Sequence, residues 1–176
     1  MKRISVIGLL IAALLIVSVM PAVAERGDDT KRKSKNGKVE GTIDGINVTL
    51  EYGRPNVKER QIWGGLVPFD KVWRTGADEA TTFTISKDVK VEGKKLAAGT
   101  YSLFTIPGEA EWTIIFNKVA KQWGAYKYDS AQDALRVNVK PAAAEHVEEM
   151  TFKIEGNKVV LLWEKLSVPF VISAAM

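Results

Sequence analysis

The sequence lacks cysteine entirely and contains a single histidine among its 176 residues. Disulfide bonds are therefore excluded, and no thiolate is available as a nucleophile or as a metal ligand. A Ser-His-Asp triad or a zinc site with nitrogen ligands would depend on His146 alone. We interpret His146 as an exposed loop residue, because it lies in a polar stretch between two predicted strands. The sequence therefore predicts neither a metal site nor a cofactor.

Signatures of nucleotide and nucleic-acid binding are missing as well. The chain has no Walker loop and no G-x-G-x-x-G motif. Its net charge of +4 comes from the N-terminal region, because residues 1–38 hold eight of the 25 basic residues and three of the 21 acidic ones. The remaining 17 basic and 18 acidic residues nearly balance, so the domain has no electrostatic footprint for nucleic acid, and we expect no such partner.

Long apolar runs are also absent, apart from one at the N-terminus. Lys2 and Arg3 precede an apolar run over residues 4–19, and the Ala-Val-Ala sequence at 22–24 supplies the small residues that signal peptidase requires. The run is shorter than the roughly 20 residues that span a bilayer. The sequence therefore predicts a cleaved signal peptide over 1–24. We expect a periplasmic or secreted protein that meets the membrane only through this segment.

A basic segment without any apolar side chain follows. Residues 25–38 contain six lysines and arginines and three acids. Such a composition cannot bury enough surface to offset the conformational entropy that ordering costs. We predict a flexible linker over 25–38 and a single folded domain over 39–176.

The domain shows short runs of period two separated by turn residues, which is typical of antiparallel strands. In one run, Ile46, Val48, Leu50 and Tyr52 alternate with polar residues, and the preceding Asp-Gly pair suits a type I′ turn. We count about nine or ten strands and no helical period of useful length. The sequence predicts an all-β antiparallel sandwich, of which a jelly roll is one form, and we expect a monomer.

The segment 52–84 carries the candidate binding chemistry. It combines arginines, tryptophans and acids with four glycines and two prolines, so much of it is irregular, and loops on a rigid β scaffold often carry function. A guanidinium suits carboxylate, phosphate or sugar hydroxyls, and an indole face suits a sugar ring. The candidate ligand-binding residues are Arg54, Trp63, Trp73, Arg74 and Glu79.

Two alternatives to a binding site remain open for the same segment. Arg74 pairs with Glu79 or Asp78 in a purely structural reading, with both tryptophans in the core. A glycosidase needs two carboxyls facing each other roughly 5–10 Å apart. Asp78 and Glu79 are consecutive and would point to opposite faces of a strand, so each would need Asp129 or Asp133 as its partner.

Several blocks of the sequence together resemble a known family. They are Y-G-R-P, R-x-I-W-G-G-L-V-P, W-R-T-G-A-D-E-A-T, A-G-T-Y-S-L-F-T-I-P, E-W-T-I-I-F-N-K and W-G-A-Y-x-Y. From about residue 37 to the C-terminus, the chain resembles the bacterial domain-of-unknown-function family DUF2911. The resemblance implies an exported, β-rich domain and no particular activity.

The chain departs from that family's pattern at two positions. The family usually has asparagine where this chain has Asp78, and glycine where it has Glu59. The resemblance therefore favours Arg54, Arg74 and Glu79 as the polar candidates.

The sequence favours a non-catalytic binding module for a small polar or carbohydrate-like ligand, or for a partner in the cell envelope. A carboxylate-dependent hydrolase of glycans or esters is the second hypothesis, and a structural envelope protein without a ligand site is the third. The surroundings of Arg74 discriminate between them. A pocket at Arg74 favours binding, whereas a fully packed and ion-paired Arg74 favours a structural role.

Overall fold

The computed structural model describes residues 26–175, so the predicted signal peptide lies outside the described residues. This range folds into ten strands and two single turns of 3-10 helix, Asp29–Lys31 and Ser130–Gln132. Within it, no helix is long and apolar enough to cross a membrane. The strands are β1 (Lys35–Ile43), β2 (Ile46–Arg54), β3 (Thr81–Ile85), β4 (Val89–Val91), β5 (Lys94–Leu96), β6 (Gly99–Ile106), β7 (Trp112–Asn117), β8 (Asp133–Val139), β9 (Ala142–Glu155) and β10 (Lys158–Ala174).

The strands form two antiparallel sheets, which confirms the predicted all-β sandwich. The six-stranded sheet has the order β1-β2-β3-β6-β7-β8, and the four-stranded sheet has the order β5-β4-β10-β9. Strands of the first sheet follow one another as a meander, except between β3 and β6. There the chain forms the short hairpin β4–β5, which belongs to the second sheet and pairs with β10. A jelly roll instead consists of two Greek keys over eight strands, so the sandwich is not of that form.

The hairpin β1–β2 shows how the sequence pattern becomes a sheet. Ile46, Val48, Leu50 and Tyr52 are buried on one face of β2, as the period-two alternation predicted. Asp44 and Gly45 join the strands with φ angles of 50° and 73°, the left-handed values that a type I′ turn requires at both central residues. The turn fixes the register, since Ile43 pairs directly with Ile46.

Aromatic side chains fill the space between the sheets. Four of the five tryptophans form one cluster, with ring centroids 5.0–6.4 Å apart. Most pairs in it meet edge to face, the geometry that the charge distribution of aromatic rings favours. The members of this tryptophan cluster are Trp63, Trp73, Trp112 and Trp163.

The chain beyond β2 connects the two sheets. The carbonyl of Pro55 accepts a hydrogen bond from the amide of Met150 at 3.0 Å, and the amide of Val57 donates to the carbonyl of Glu148 at 2.8 Å. The hydroxyl of Tyr52 accepts from the amide of Phe152 at 3.0 Å. The segment after β2 is therefore held against β9, and it forms one side of a depression at that end of the sandwich.

Candidate functional site

The loop 73–80, which leads into β3, carries two of the predicted polar site residues, Arg74 and Glu79. Its first residue, Trp73, pairs with Thr105 of β6 through hydrogen bonds of 2.7 and 2.9 Å. Further along, Ala77 lies directly on β2 at Gly53, where any Cβ would come within 2.3 Å of the carbonyl oxygen of Ala77. The loop is therefore irregular in shape but closely fixed to the sheet.

The backbone of this loop is strained next to Arg74. Thr75 is fully buried and has a φ of 54°, which is a genuine outlier for a β-branched residue. Its hydroxyl bonds to that of Thr105 at 3.1 Å, and its carbonyl accepts from the hydroxyl of Thr81 at 2.7 Å. Such conformations cost about 1–3 kcal/mol and cluster at binding sites, where the surroundings hold them in place.

Arg74 faces a cavity of about 420 Å³ between this loop, the segment after β2 and the residues that precede β1. The volume falls within the range of small-molecule sites. The cavity has four cationic side chains, one acid and two indole rings among its walls. We call it the basic pocket and define it by Lys33, Lys58, Arg60, Arg74, Asp78, Trp73 and Trp163.

The positive charge of the basic pocket is not neutralised within residues 26–175. Arg74 forms no ion pair there, and its buried Nε has no hydrogen-bond partner. Arg60 donates only to main-chain carbonyls, those of Val57 and Asn56. The single acid, Asp78, is already paired with Arg32 at 3.4 Å. Among the described residues, the pocket therefore holds cations that no acid pairs with.

Trp163 adds a second unsatisfied donor to this wall. Its side chain is 1% exposed, and its indole N–H has no hydrogen-bond partner in the described chain. The indole N–H groups of Trp63 and Trp112 share this condition, and edge-to-face packing within the tryptophan cluster offers them ring faces as weak acceptors.

Glu79 has a different environment, because the segment before β1 is docked on it. We call residues 26–34 the strap. The Arg26 side chain is 8% exposed and donates to the carbonyl oxygens of Ala77, Glu79 and Ala80, at 3.1–3.3 Å. It also contacts the Glu79 carboxylate at 3.3 Å. A guanidinium can be buried here because nearly all its donors are matched.

Arg32 completes this contact from the other side. Its two terminal nitrogens lie 2.6 and 2.5 Å from the two carboxylate oxygens of Glu79, in a fork-to-fork arrangement. The hydrogen bonds from Arg32 lower the pKa of Glu79 to about 2, with the charge of Arg26 adding to the effect. Burial in turn lowers the pKa of Arg26. Glu79 therefore stays ionised and holds the strap in place.

The strap corrects the predicted boundary between linker and domain. The first strand already begins at Lys35, inside the segment 25–38 that we predicted to be flexible. The prediction considered apolar burial alone, whereas this segment is ordered by arginines that bond to a carboxylate and to carbonyl oxygens far away in the sequence.

A family model supports the resemblance inferred from the sequence blocks. The model described as "Protein of unknown function (DUF2911)" matches residues 34–172. The chain belongs to this family. No curated protein and no solved structure matches it significantly. Within this DUF2911 domain, Arg74 and Glu79 lie inside the matched region, whereas residues 26–33 of the strap precede it.

The DUF2911 domain brings some of the predicted site residues together and separates others. Trp73 and Arg74 line the basic pocket. Trp63 belongs to the tryptophan cluster, 6.0 Å from Trp73 by ring centroids. Arg54 pairs with Glu149 at 2.9 Å and so links β2 to β9.

The expected pair between Arg74 and Glu79 is not formed. The strap arginines occupy the Glu79 carboxylate instead, and Arg74 keeps a free guanidinium on the other side of the loop.

The sequence did not identify Lys33, Lys58 and Trp163 as residues that line the basic pocket. Lys33 was assigned to the linker, and Lys58 and Trp163 had no motif that marked them. Lys58 follows the segment that crosses to β9, and Trp163 lies in β10, so only the sandwich brings them to the loop 73–80. The richness of residues 52–84 in arginine was the signal that located the pocket.

Proposed function

We propose that this protein is an exported, non-catalytic binding module for a small anionic, carbohydrate-like ligand that occupies the basic pocket. The predicted signal peptide supports a periplasmic or secreted location. The ligand class follows from the walls of the pocket, in which Arg74, Arg60, Lys58 and Lys33 surround the cavity. A carboxylate or phosphate group would match the guanidinium of Arg74 with two parallel hydrogen bonds.

The observation that carries this proposal is the state of Arg74. A half-buried guanidinium without an ion pair, next to further cations, is unfavourable unless a counter-charge is supplied from outside. The strained residue Thr75 directly follows it, and its hydrogen bonds to Thr105 and Thr81 hold the loop in this shape. The unpaired guanidinium is a cost to the empty protein that a bound anion would offset.

The floor of the basic pocket is apolar. Trp73 and Trp163 line the pocket, but they are only 9% and 1% exposed and stack on each other with an angle of 16° between their planes and a centroid distance of 5.8 Å. They therefore form a rigid, buried aromatic base beneath the cations. A sugar that carries an acidic group offers the complementary combination of an apolar ring face and a negative charge.

The acids of the loop fit a structural task better than catalysis. A hydrolytic general acid needs a raised pKa, so that it is protonated near neutral pH. The pKa of Glu79 is instead lowered to about 2, and Arg32 contacts both Glu79 and Asp78. These two carboxylates therefore support the strap, which is why we favour binding over hydrolysis.

Titration calorimetry with galacturonic acid, glucose 6-phosphate and neutral glucose tests the proposal. We expect the two anions to bind and glucose to bind at least tenfold more weakly. Replacement Arg74→Met should lower anion affinity at least tenfold, since a charge-assisted hydrogen bond contributes about 1.5–3 kcal/mol. The matched control is Arg136→Met, because Arg136 is an arginine on β8 that pairs with Asp133 outside the pocket.

The outcomes separate clearly. Equal losses in Arg74→Met and Arg136→Met would indicate nonspecific charge attraction and contradict the proposal. So would the absence of binding by both anions at millimolar concentration.

A further inference from the structure

Two aromatic side chains stand exposed beside the strap. Trp123 is 61% exposed and Tyr126 is 86% exposed, although large aromatic side chains usually bury most of their surface. We call this pair the aromatic ledge. Leu66 and Val119, the other large apolar side chains exposed within residues 26–175, are 46% and 43% exposed.

The backbone beneath the ledge is fixed. Trp123 pairs with Glu79, and hydrogen bonds on each side of it join Gln122 to Ala80 at 2.9 Å and Gly124 to Asp78 at 3.0 Å. The ledge is therefore attached to the same loop that carries Arg74. An exposed ring on a rigid backbone loses little conformational entropy when a ligand stacks on it.

Cavities that share lining residues link the ledge with the basic pocket. Lys33 and Asp78 line both the basic pocket and a second cavity of about 390 Å³ under the strap. Trp123 lines that second cavity and also a third one of about 330 Å³, which it shares with Tyr126 and Lys127. The strap thus borders a groove that leads from Arg74 to the ledge.

We propose that this groove binds an acidic oligosaccharide, with one acidic sugar in the basic pocket and a further ring stacked on Trp123. The inference rests on the proposed function and extends it from a single sugar to a chain. The loop limits the distance between the two subsites, because the Cα atoms of Arg74 and Glu79 can lie at most about 18 Å apart. A short oligosaccharide is sufficient to reach both.

The chemistry of the groove favours a glycan over other chains. Lys31 and Lys33 border its middle section beside Asp28 and Asp78, and Lys127 borders its far end, so cations can meet acidic groups at several points along it. A peptide that binds by strand addition needs a free sheet edge, whereas this groove is formed by loops and the strap. Single-stranded nucleic acid also stacks on aromatic rings, so the test includes it as a competing ligand.

The test compares ligand length and ledge variants by titration calorimetry. Trigalacturonic acid should bind the unaltered protein about fivefold to tenfold more tightly than galacturonic acid, the size of effect that one aromatic contact produces. Trp123→Ala should remove this advantage and leave the affinity for galacturonic acid unchanged. Trp123→Phe keeps a ring and should retain most of it. Melting curves confirm that the variants are folded, which we expect because the side chain is exposed.

The possible failures can be told apart. If both ligands bind equally and depend on Arg74 but not on Trp123, the extended groove is wrong and the proposed function stands. If neither ligand binds, the proposed function itself is wrong. Tighter binding of a hexaglutamate peptide or of oligothymidine than of trigalacturonic acid would also overturn the assignment to a glycan.

Discussion

The two ends of the loop 73–80 hold arginines in opposite states. At Glu79, Arg26 and Arg32 surround one carboxylate, and their donors are matched by carboxylate and carbonyl oxygens. At Arg74, the guanidinium forms no ion pair within residues 26–175, and three further cations share its cavity. Arginine side chains are thus well matched at one end of the loop, whereas Arg74 lacks a partner for its guanidinium at the other.

The difference separates what holds the protein together from what the protein offers to a ligand. A matched charge cluster stabilises the fold, and its loss leaves buried donors without partners. An unmatched cluster contributes nothing to stability and keeps its hydrogen-bonding capacity for a ligand. Burial alone does not distinguish the two regions, since side chains at both ends of the loop are partly buried.

Replacement Gly53→Ala should disturb both regions at once and have the largest effect. The new methyl group would lie 2.3 Å from the carbonyl oxygen of Ala77, so the loop must move. We expect a loss of about 3 kcal/mol in the free energy of unfolding, at the upper end for an overpacked site. Urea unfolding measures it. In the control Gly41→Ala, the nearest atoms to the methyl group belong to the Ile154 side chain, at 3.0–3.4 Å, so a similar loss there would contradict the explanation.

Replacement Glu79→Gln should weaken the contact between the strap and the loop and leave the surroundings of Arg74 unchanged. It removes the charge that Arg26 and Arg32 share, and we expect a loss of about 2 kcal/mol, typical of buried donors that lose a charged partner. Trypsin should then cut faster after Arg32 as the strap detaches. Glu155→Gln is the control, because Glu155 belongs to an exposed pair with Lys153 at 4.0 Å. Equal losses in the two variants would show that the strap does not contribute to stability.

Low pH should weaken the ion pairs between Glu79 and the strap in the unaltered protein. The pKa of Glu79 falls from its ordinary 4.5 to about 2 on folding, so the unfolded chain binds the proton more tightly. The contribution is complete above pH 4.5 and is lost as the pH falls towards 2; with solvent screening it amounts to about 1–2 kcal/mol. The difference in unfolding free energy between the unaltered protein and Glu79→Gln should therefore shrink between pH 5 and pH 2.5. A constant difference would argue against the pKa shift.

Replacement Arg74→Met should have the smallest effect on stability. Methionine keeps the packing of the arginine stem, and the variant loses a cation that has no ion pair within residues 26–175. We expect the free energy of unfolding to change by less than about 0.5 kcal/mol or to rise slightly, as for substitutions outside structural networks. Urea unfolding is again the measurement. A loss above 2 kcal/mol would place Arg74 among the structural residues and remove the contrast between the two ends.

The strands were predictable because their pattern is local. Alternation over 46–52 and the turn at Asp44 are visible within nine residues, and both are confirmed. The pairing of the strap was not predictable in the same way. Arg26 and Arg32 meet Glu79 at separations of 53 and 47 residues, and no short pattern marks such contacts. Charge pairing over these distances depends on the sheet that positions both partners.

The sequence located the segment that lines the pocket but not its ion pairs. The density of arginine and tryptophan in 52–84 identified the segment, whereas the predicted ion pair between Arg74 and Glu79 is not formed. The structure gives a physical reason for the glycine and asparagine that the family usually has at the two positions where this chain departs. Glu59 and Asp78 have φ angles of 56° and 61°, in the left-handed region where glycine and asparagine are least strained.

The position of β10 has a consequence for how the chain folds. Its first part forms a hairpin with β9, but Ile172, Ser173 and Ala174 pair with β4, at Val91, Lys90 and Val89. The meander of the first sheet depends mostly on neighbouring strands, which meet quickly because only short loops must close. The second sheet cannot close until residue 172 has been synthesised. β4 can therefore pair with β5 early but with β10 only late, and closure of the four-stranded sheet should be the slow step of folding.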